Sequence, residues 1–242
     1  MTDFHSHILP GIDDGAQDEK MSTRMLIMSS RQGVDKIFAT PHLYPESDSI
    51  TAFLQSRSDA YRRLDTHLRS IKNVNPDITF PEIIPGCELY YFSHMGQSES
   101  LKHLCLGDTP LLLIEMPMEK WSDAELDDIE DIGKNSHLIP VIAHLDRYMR
   151  VMGDFELYKR VIGRKLLVQV NASFFTAPEC KDVYPKLIEN DLIHFIGSDC
   201  HNDTNRIPNM KDAFDALQHD GFSDFIEFYS KRCSSIFDTQ HS

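Results

Sequence analysis

Short apolar runs alternate with amphipathic segments along the chain, and this alternation limits the folds open to it. Helical patterns lie between most of the runs, and strands that alternate with helices pair in parallel through right-handed crossovers. We therefore expect an α/β fold. The predicted strands are Thr2–His7, Lys36–Thr40, Glu82–Glu88, Leu111–Glu115, Pro140–His144, Leu166–Asn171 and His194–Ser198. The predicted helices are Asp18–Gly33, Phe53–Leu68, Ser122–Lys134, Asp154–Ile162, Pro178–Glu189, Pro208–His219 and Ser223–Phe237.

No repeat, low-complexity tract or flexible linker divides the 242 residues, so we expect one domain over 1–242. No apolar stretch reaches the roughly 18 residues that a membrane helix needs, and the N-terminus lacks the layout of a signal peptide. The five cysteines are scattered, without a Cys-x-x-Cys pair, so no disulfide framework is indicated. These features predict a cytoplasmic chain without membrane insertion.

The charge balance argues against a nucleic-acid partner. The chain has 24 basic and 38 acidic residues, a formal net charge of −14, whereas a nucleic-acid surface needs a basic stripe. Most of the acidic excess is explained by solubility. Part of it has a second explanation, because carboxylates that hold metal ions count as negative until the ions are added.

Potential metal ligands recur at the downstream ends of the predicted strands. His5 and His7 are two positions apart in the first strand, and Asp199 and His201 repeat that spacing after the last. Side chains alternate faces along an extended backbone, so each pair points one way. In a parallel barrel, active sites are built at this end from several strands. Imidazole and carboxylate together suit first-row divalent metals; the remaining candidates are His42, Glu88, Glu115 and His144.

Each candidate also has a simpler interpretation when it is taken alone. Asp13 and Asp14 lie in a glycine-bracketed turn and suit a turn or a helix N-cap. His42 suits a solvated loop, and Glu88 and Glu115, which end apolar strands, suit buried salt bridges. We expect structural or solvated roles for the other histidines: His67, His94, His103, His137, His194, His219 and His241.

Taken together, these residues resemble the polymerase-and-histidinol-phosphatase (PHP) superfamily. Within it the chain is most similar to the bacterial tyrosine-protein phosphatases of capsule and exopolysaccharide operons, the CpsB/YwqE type. The resemblance runs through most of the chain, and the long opening segment is its most specific part. The segments that carry it are Asp3–Ala16, Ala39–His42, Pro85–Glu88, Leu113–Pro117, Ala143–Tyr148 and Gly197–His201.

The resemblance implies a distorted seven-stranded (β/α) barrel of the PHP type that holds three divalent metal ions. Manganese is the expected metal, with iron and zinc as alternatives, because sites of this composition accept several first-row ions. The implied ligand sets are His5, His7, Glu88 and Asp199 for one ion, Glu88, Glu115 and His144 for the second, and Asp14, His42 and His201 for the third. It also implies hydrolysis of protein phosphotyrosine, on a partner such as a bacterial tyrosine kinase.

Three divalent ions on four carboxylates leave a pocket of about two positive charges, which attracts a phosphomonoester dianion. A metal-bridging hydroxide would then attack phosphorus. Arg147 is a candidate to grip the phosphoryl oxygens through a bidentate fork, with Arg206 assisting. The alternative for Arg147 is an ordinary ion pair with Asp146 or a neighbour.

Some segments differ from the family pattern, and they bear on substrate entry. The loop after His42 reads Leu43-Tyr44-Pro45-Glu46, the stretch Asn171–Phe175 is bulky, and the usual Asn-Pro near the C-terminal helix is absent. We expect Tyr44, Phe174 and Phe175 either to flank a phosphotyrosine ring or, for the two phenylalanines, to belong to the core.

Four other functions remain open at this stage. The first is a PHP phosphatase for a small phosphomonoester such as histidinol phosphate, and the second is a non-catalytic metal-bound scaffold. The third is a cysteine phosphatase, because Cys200 and Arg206 have Cys-x5-Arg spacing, although the intervening residues lack glycine and include an acid that repels phosphate. The fourth is an amidohydrolase, which would need a lysine where Glu115 stands.

Overall fold

The computed structural model describes residues 1–164 and 166–238, and His241 lies outside that range. Its strands are β1 (Thr2–Ser6), β2 (Lys36–Ala39), β3 (His42–Leu43), β4 (Glu82–Pro85), β5 (Glu88–Tyr90), β6 (Leu111–Glu115), β7 (Ile139–Ile142), β8 (Leu167–Asn171) and β9 (Phe195–Gly197). Its α-helices are α1 (Glu19–Arg31), α2 (Ile50–Val74), α3 (Asp123–Ser136), α4 (Leu145–Met152), α5 (Asp154–Gly163), α6 (Tyr184–Glu189), α7 (Met210–His219) and α8 (Ser223–Asp238). Among these described helices, none combines the length and the apolar character needed to cross a membrane.

The strands pair in parallel, as the alternation with helices predicts, and the fold is mixed α/β. Six strands form a curled half-barrel in the order β3-β5-β6-β7-β8-β9, and a smaller sheet has the order β1-β2-β4. The downstream ends of β1 and β9, with the residues that follow them, are hydrogen-bonded to each other. The Asp199 N–H donates to the His5 carbonyl (2.8 Å), and the His7 N–H donates to the Cys200 carbonyl (2.9 Å). The first and last predicted strands are therefore neighbours.

One predicted strand is interrupted, and a short strand follows another. The predicted strand Glu82–Glu88 divides into β4 and β5, and the short strand β3 follows β2 after a break at Pro41. Proline has no N–H for a sheet ladder. At Gly86 a Cβ would lie 2.7 Å from the Leu106 Cδ2, so the chain passes this point only because glycine lacks a side chain. Both breaks direct the chain so that His42 and Glu88 start β3 and β5 in parallel register.

Two helix predictions also need correction. The segment after His144 forms α4, which the sequence analysis did not include. His144 precedes it with φ 31°, in the left-handed region that few non-glycine residues occupy. The predicted helix Pro178–Glu189 is a 3₁₀ turn at Pro178–Cys180 followed by α6. The surrounding packing decides such local conformations, and propensity alone does not.

The packing of β1 fixes the direction of its histidines. The Phe4 ring packs between Phe38 and Phe195, at centroid distances of 5.1 and 4.6 Å. Since side chains alternate, His5 points to the opposite face. The strand β9 lies close to β1 at His5: a Cβ added to Gly197 would be only 2.4 Å from the His5 Cβ. The apolar anchor and this close approach together hold the start of the chain against β9.

Candidate metal centre

The predicted ligands lie together at one edge of the sheet. Most come from the downstream end of a strand or the residues just after it. His42 and Glu88 instead begin the short strands β3 and β5, and Asp14 comes from the loop between β1 and α1. Three groups each hold ligand atoms within 4.8 Å of one another: His7, Asp14, His42 and His201; His5, His7 and Asp199; and His42, Glu88 and Glu115. These groups overlap the three expected ligand sets, with His7 and His42 each shared between two groups. Which ion each residue binds stays a prediction.

Glu88 lies at the centre of the cluster. One of its oxygens is 3.0 Å from the His5 Nε2 and 3.1 Å from the His42 Nδ1, and the other is 2.8 Å from the His144 Nε2. The carboxylate is 1% exposed. Burial opposes its ionisation, but the charge of His5 and the hydrogen bond from His144 hold the pKa of Glu88 well below its usual range. An ionised, buried carboxylate with histidines around both oxygens is suited to bridge two cations.

The ligand atoms of the cluster are better suited to binding divalent ions than to hydrogen bonding with one another. Buried polar atoms are normally hydrogen-bonded. Yet several buried ligand atoms have no hydrogen-bond partner among the described residues: the Glu88 Oε2, Glu115 Oε2, His42 Nδ1 and His201 Nε2. Cations bound between these residues would satisfy the atoms that the protein itself leaves without partners.

The titration of the surrounding groups is consistent with cation binding. Burial opposes charge on His144, yet hydrogen bonds to Glu115 and Glu88 raise its pKa to about 9. Burial likewise opposes ionisation of Asp199, but the charges of His5 and Arg147 hold its pKa well below the usual range. Without a bound cation, protonated histidines in the cluster interact with ionised carboxylates. Metal binding requires neutral imidazole and releases such protons.

Asp13, which the sequence analysis assigned to a turn or a helix N-cap, contacts two candidate ligands. Its Oδ2 accepts a hydrogen bond from the His7 Nδ1 (2.7 Å) and another from the His42 N–H (3.1 Å). Because an ionised carboxylate only accepts, the neutral His7 ring that a metal would bind carries its proton on Nδ1 and presents the Nε2 lone pair to the cluster. A carboxylate behind a histidine ligand is a common way to orient metal ligands.

Gln169 and Asn171 form a second support that the sequence did not indicate. The Gln169 Oε1 accepts from the His144 N–H (2.7 Å) and lies 3.1 Å from the His5 Nδ1. The Gln169 Nε2 donates to the Asn171 Oδ1, and the Asn171 Nδ2 donates to the Asp199 Oδ2 at 3.2 Å. One buried amide chain thus joins three candidate ligands. The residues occupy alternate positions of β8, but nothing in the strand pattern predicts their partners.

Replacing Gln169 by leucine is expected to weaken metal affinity by roughly 10–100-fold, because outer partners fix the orientation and tautomer of ligands. The side chains are similar in size, so the fold should persist. Metal titration of the stripped protein, followed by calorimetry, measures the change. Gln55→Leu, at an exposed position of α2, is the matched control. Unchanged affinity in Gln169→Leu would show that the amide only fills space.

Arg147 and Arg206 lie at the edge of the cluster. Arg147 forms an ion pair with the Asp199 Oδ2, and the Arg206 Nη2 is 2.9 Å from the Asp199 Oδ1. Their side chains are 34% and 39% exposed, whereas Asp199 is 3% exposed. Both arginines line a cavity of about 740 Å³ next to the cluster. Arg147 therefore pairs with a candidate ligand and reaches open space, unlike an ordinary surface ion pair.

The aromatic residues that the sequence analysis named have different positions. Tyr44 is 40% exposed, while Phe174 and Phe175 are 2% and 1% exposed and pack against Tyr184. The two phenylalanines therefore belong to the core, and Phe174 also borders the cavity. The remaining described histidines lie outside all three ligand groups: His67, His94, His103, His137, His194 and His219.

The chain is similar to known proteins over nearly its full length. The model of the family described as capsular polysaccharide synthesis, CpsB/CapC, matches residues 1–228. The tyrosine-protein phosphatase CpsB of Streptococcus agalactiae is 29% identical, with 91% of this chain and 90% of that protein covered. The tyrosine-protein phosphatase YwqE of Bacillus subtilis is 28% identical, with 90% and 84% covered.

Solved structures agree with the sequence matches. A structure from a study of YwqE of Bacillus subtilis and CpsB of Streptococcus pneumoniae, described as metal-dependent tyrosine phosphatases, matches with a TM-score of 0.78 at 27% identity. The match covers 96% of this chain and 92% of that chain. Histidinol phosphate phosphatase of Lactococcus lactis matches with a TM-score of 0.50 at 15% identity, over 91% and 93% of the two chains. At 15% identity, the match to the Lactococcus lactis protein indicates a similar fold and no more.

Proposed function

Because the chain belongs to the CpsB/CapC family of capsular polysaccharide synthesis, we propose that it is a metal-dependent phosphatase that hydrolyses phosphotyrosine in proteins. Its relatives CpsB and YwqE are named tyrosine-protein phosphatases. The expected substrate is a bacterial tyrosine kinase of polysaccharide synthesis, and the expected location is the cytoplasm. We further propose that residues 1–242 act as one domain.

One observation carries the proposal: a dense group of unpartnered metal-ligand atoms adjoins a cavity that two arginines line. Metal ions and guanidinium groups are both common binding partners for phosphoryl oxygens in proteins. Arg147 and Arg206 both reach Asp199 and are partly exposed. A phosphate in the cavity would contact both arginines while it faces the cluster. This arrangement supports phosphoester chemistry over a purely structural metal site.

We propose three divalent ions, with manganese as the preferred metal. When bound, such ions lower the pKa of coordinated water towards roughly 7 and offset charge on phosphoryl oxygens. The overlap of the ligand groups at His7 and His42, together with the 3.2 Å between the His7 Nε2 and a Glu88 oxygen, supports several ions at short separations. The proposed ligands are His5, His7, Glu88 and Asp199 for the first ion, Glu88, Glu115 and His144 for the second, and Asp14, His42 and His201 for the third.

The scaffold we propose for this site is a distorted seven-stranded barrel. In it, β2 with β3 and β4 with β5 each count as one interrupted strand. Supporting this, the Ser6–Cys200 bridge lies between the ends of the two sheets. Closure brings β1 next to β9, so that the first and last ligands share one site.

Kinetics on three substrates test the proposed function. We expect a higher kcat/KM on phosphotyrosine peptides than on phosphoserine peptides or histidinol phosphate, helped by the better phenolate leaving group. The manganese-loaded protein is assayed with all three under the same conditions. A clear preference for histidinol phosphate would replace the proposal with the small-metabolite phosphatase. If the metal-loaded protein turns over none of the phosphoesters, the alternative of a non-catalytic metal-bound scaffold would be favoured.

Cys200→Ser separates metal-dependent hydrolysis from a cysteine mechanism, and we expect it to keep most activity and metal. The thiol is fully buried, and burial raises its pKa far above the range in which a thiolate forms. Initial rates on a phosphotyrosine peptide and metal content are measured together, with Cys233→Ser as the control for losing a buried thiol. Lost turnover with metal retained, or a trapped phosphocysteine, would favour the cysteine mechanism.

A further inference from the structure

The cavity beside the candidate metal centre has an exposed apolar lining that phosphate binding does not require. Met118, Val151 and Ile207 all line it, and they are 53%, 37% and 37% exposed. Among the described residues, these are three of the seven large apolar side chains that are exposed. Exposed apolar side chains scattered singly need no explanation, but a group of them around one cavity indicates a binding surface.

The apolar residues come from the same segments as the polar site. Met118 follows Glu115 by three residues, and Ile207 directly follows Arg206. Val151 and Arg147 are four positions apart in α4, so they share one face of that helix. Each of the three segments therefore presents a polar or charged group to the centre and an apolar group to the cavity.

The lining contains two arginines, Arg147 and Arg206, and an equal number of acidic side chains. Only two lining residues, Asp146 and Asp199, are acidic, in a protein whose formal net charge is −14. Asp146 accepts a hydrogen bond from the Asn171 N–H (2.8 Å), and Asp199 pairs with both arginines. Cationic and apolar groups thus face the cavity, while both carboxylates have partners. The volume of about 740 Å³ lies within the usual range for small ligands, roughly 300–1,000 Å³.

We propose that this cavity is the aryl subsite: it takes the phenyl ring of phosphotyrosine against Met118, Val151 and Ile207 while Arg147 and Arg206 hold the phosphate. The inference rests on the proposed phosphatase function and assigns its preference for aryl over alkyl phosphates to three side chains. The short phosphoserine side chain leaves the apolar lining in contact with water, so it gains no such contact.

Tyr44 is the competing location for the ring. It is partly exposed, but its ring already stacks on His42 and packs at a tilt against Tyr90, each at a centroid distance of 5.4 Å. It does not line the cavity that contains the arginines. We therefore assign Tyr44 to the support of His42, and the phenyl ring of phosphotyrosine to the cavity.

The test compares two peptides of identical flanking sequence, one with phosphotyrosine and one with phosphoserine. The variant is Val151→Ser/Ile207→Ser, which removes apolar contact without adding charge, and Val74→Ser, at an 88% exposed position, is the matched control. We expect kcat/KM for phosphotyrosine to fall about tenfold or more, mainly through KM, because losing apolar contact in a pocket costs roughly tenfold or more. The value for phosphoserine should change little, and metal content should stay constant.

Binding of a phosphonomethyl-phenylalanine peptide, which the enzyme does not hydrolyse, gives a second measurement. Its Kd should rise about tenfold in the double variant, and Met118→Ser is an additional variant in case the double variant is unstable. If folded, active variants keep the wild-type ratio of kcat/KM for phosphotyrosine to kcat/KM for phosphoserine, the aryl subsite is refuted while the proposed phosphatase function stands. A loss of phosphotyrosine preference in Tyr44→Ala, with the cavity variants unaffected, would move the ring to Tyr44. Wild-type protein that turns over neither peptide would instead refute the proposed function.

Discussion

Asp199→Ala is expected to remove both bound metal and turnover, the largest effect of any single change in this protein. The Asp199 Oδ1 lies 3.8 Å from the His5 Nε2 and 3.5 Å from both the His7 Nε2 and the His201 Nδ1. The same carboxylate pairs with Arg147 and Arg206. Without it, three imidazoles and two guanidinium groups surround a space that has lost a negative ligand.

Metal affinity should fall by more than the roughly 100-fold upper figure for losing an outer-shell partner. Elemental analysis of gently purified protein should approach three first-row ions per wild-type chain and clearly fewer in the variant. His5→Ala should behave alike, strong chelators should abolish wild-type activity, and Asp77→Ala, in an exposed turn, should change nothing. Full turnover in metal-free protein would refute the metal-dependent mechanism.

Arg147→Ala is expected to keep the metal and to reduce kcat/KM by roughly 30–1,000-fold, which corresponds to about 2–4 kcal/mol of lost transition-state stabilisation. Arg147 is partly exposed and faces the cavity, so it can contact phosphoryl oxygens as charge develops on them. Asp199 keeps a hydrogen bond from the Asn171 Nδ2 (3.2 Å) after the change. We therefore expect the loss to appear in the chemical step and not in metal content.

Arg147→Lys should recover little of this loss, because one ammonium cannot reproduce the planar bidentate fork. Arg232→Ala, which breaks an ion pair with Asp191 away from the cavity, is the matched control for losing an arginine. Steady-state kinetics on a phosphotyrosine peptide and metal analysis are measured on the same preparations. A near-wild-type rate in Arg147→Ala would mean that the residue only pairs with Asp199.

The local pattern predicted which residues reach the site. His5 and His7 share a face because strand side chains alternate, and Glu115 was placed at a strand end by the apolar run Leu111–Ile114 before it. In a parallel sheet the downstream ends lie along one edge. Strand placement therefore brought distant candidates to one region without any knowledge of contacts. The assignment of individual residues to individual ions stays a prediction.

Other features depend on the tertiary structure. His144 and Asp199 have positive φ values of 31° and 51°. Such conformations cost energy in non-glycine residues and persist only where the surroundings enforce them. The interruptions at Pro41 and Gly86 likewise depend on neighbouring strands, since the Gly86 N–H donates to the Ala39 carbonyl (2.8 Å). Local propensity contains no information about these partners.

The sequence by itself determined the alternation of strands and helices, the parallel pairing and the supply of ligands, because each follows from a short-range period or from residue chemistry. Only the tertiary structure decided how the candidate ligands are supported and where the adjoining cavity forms. Asp13 and Gln169 act through partners, and for Gln169 these lie as far away as His5. The cavity draws its apolar lining from three separate segments. Contacts between residues far apart in the chain carry no local signature, because they form only when the sheet curls and brings those segments together.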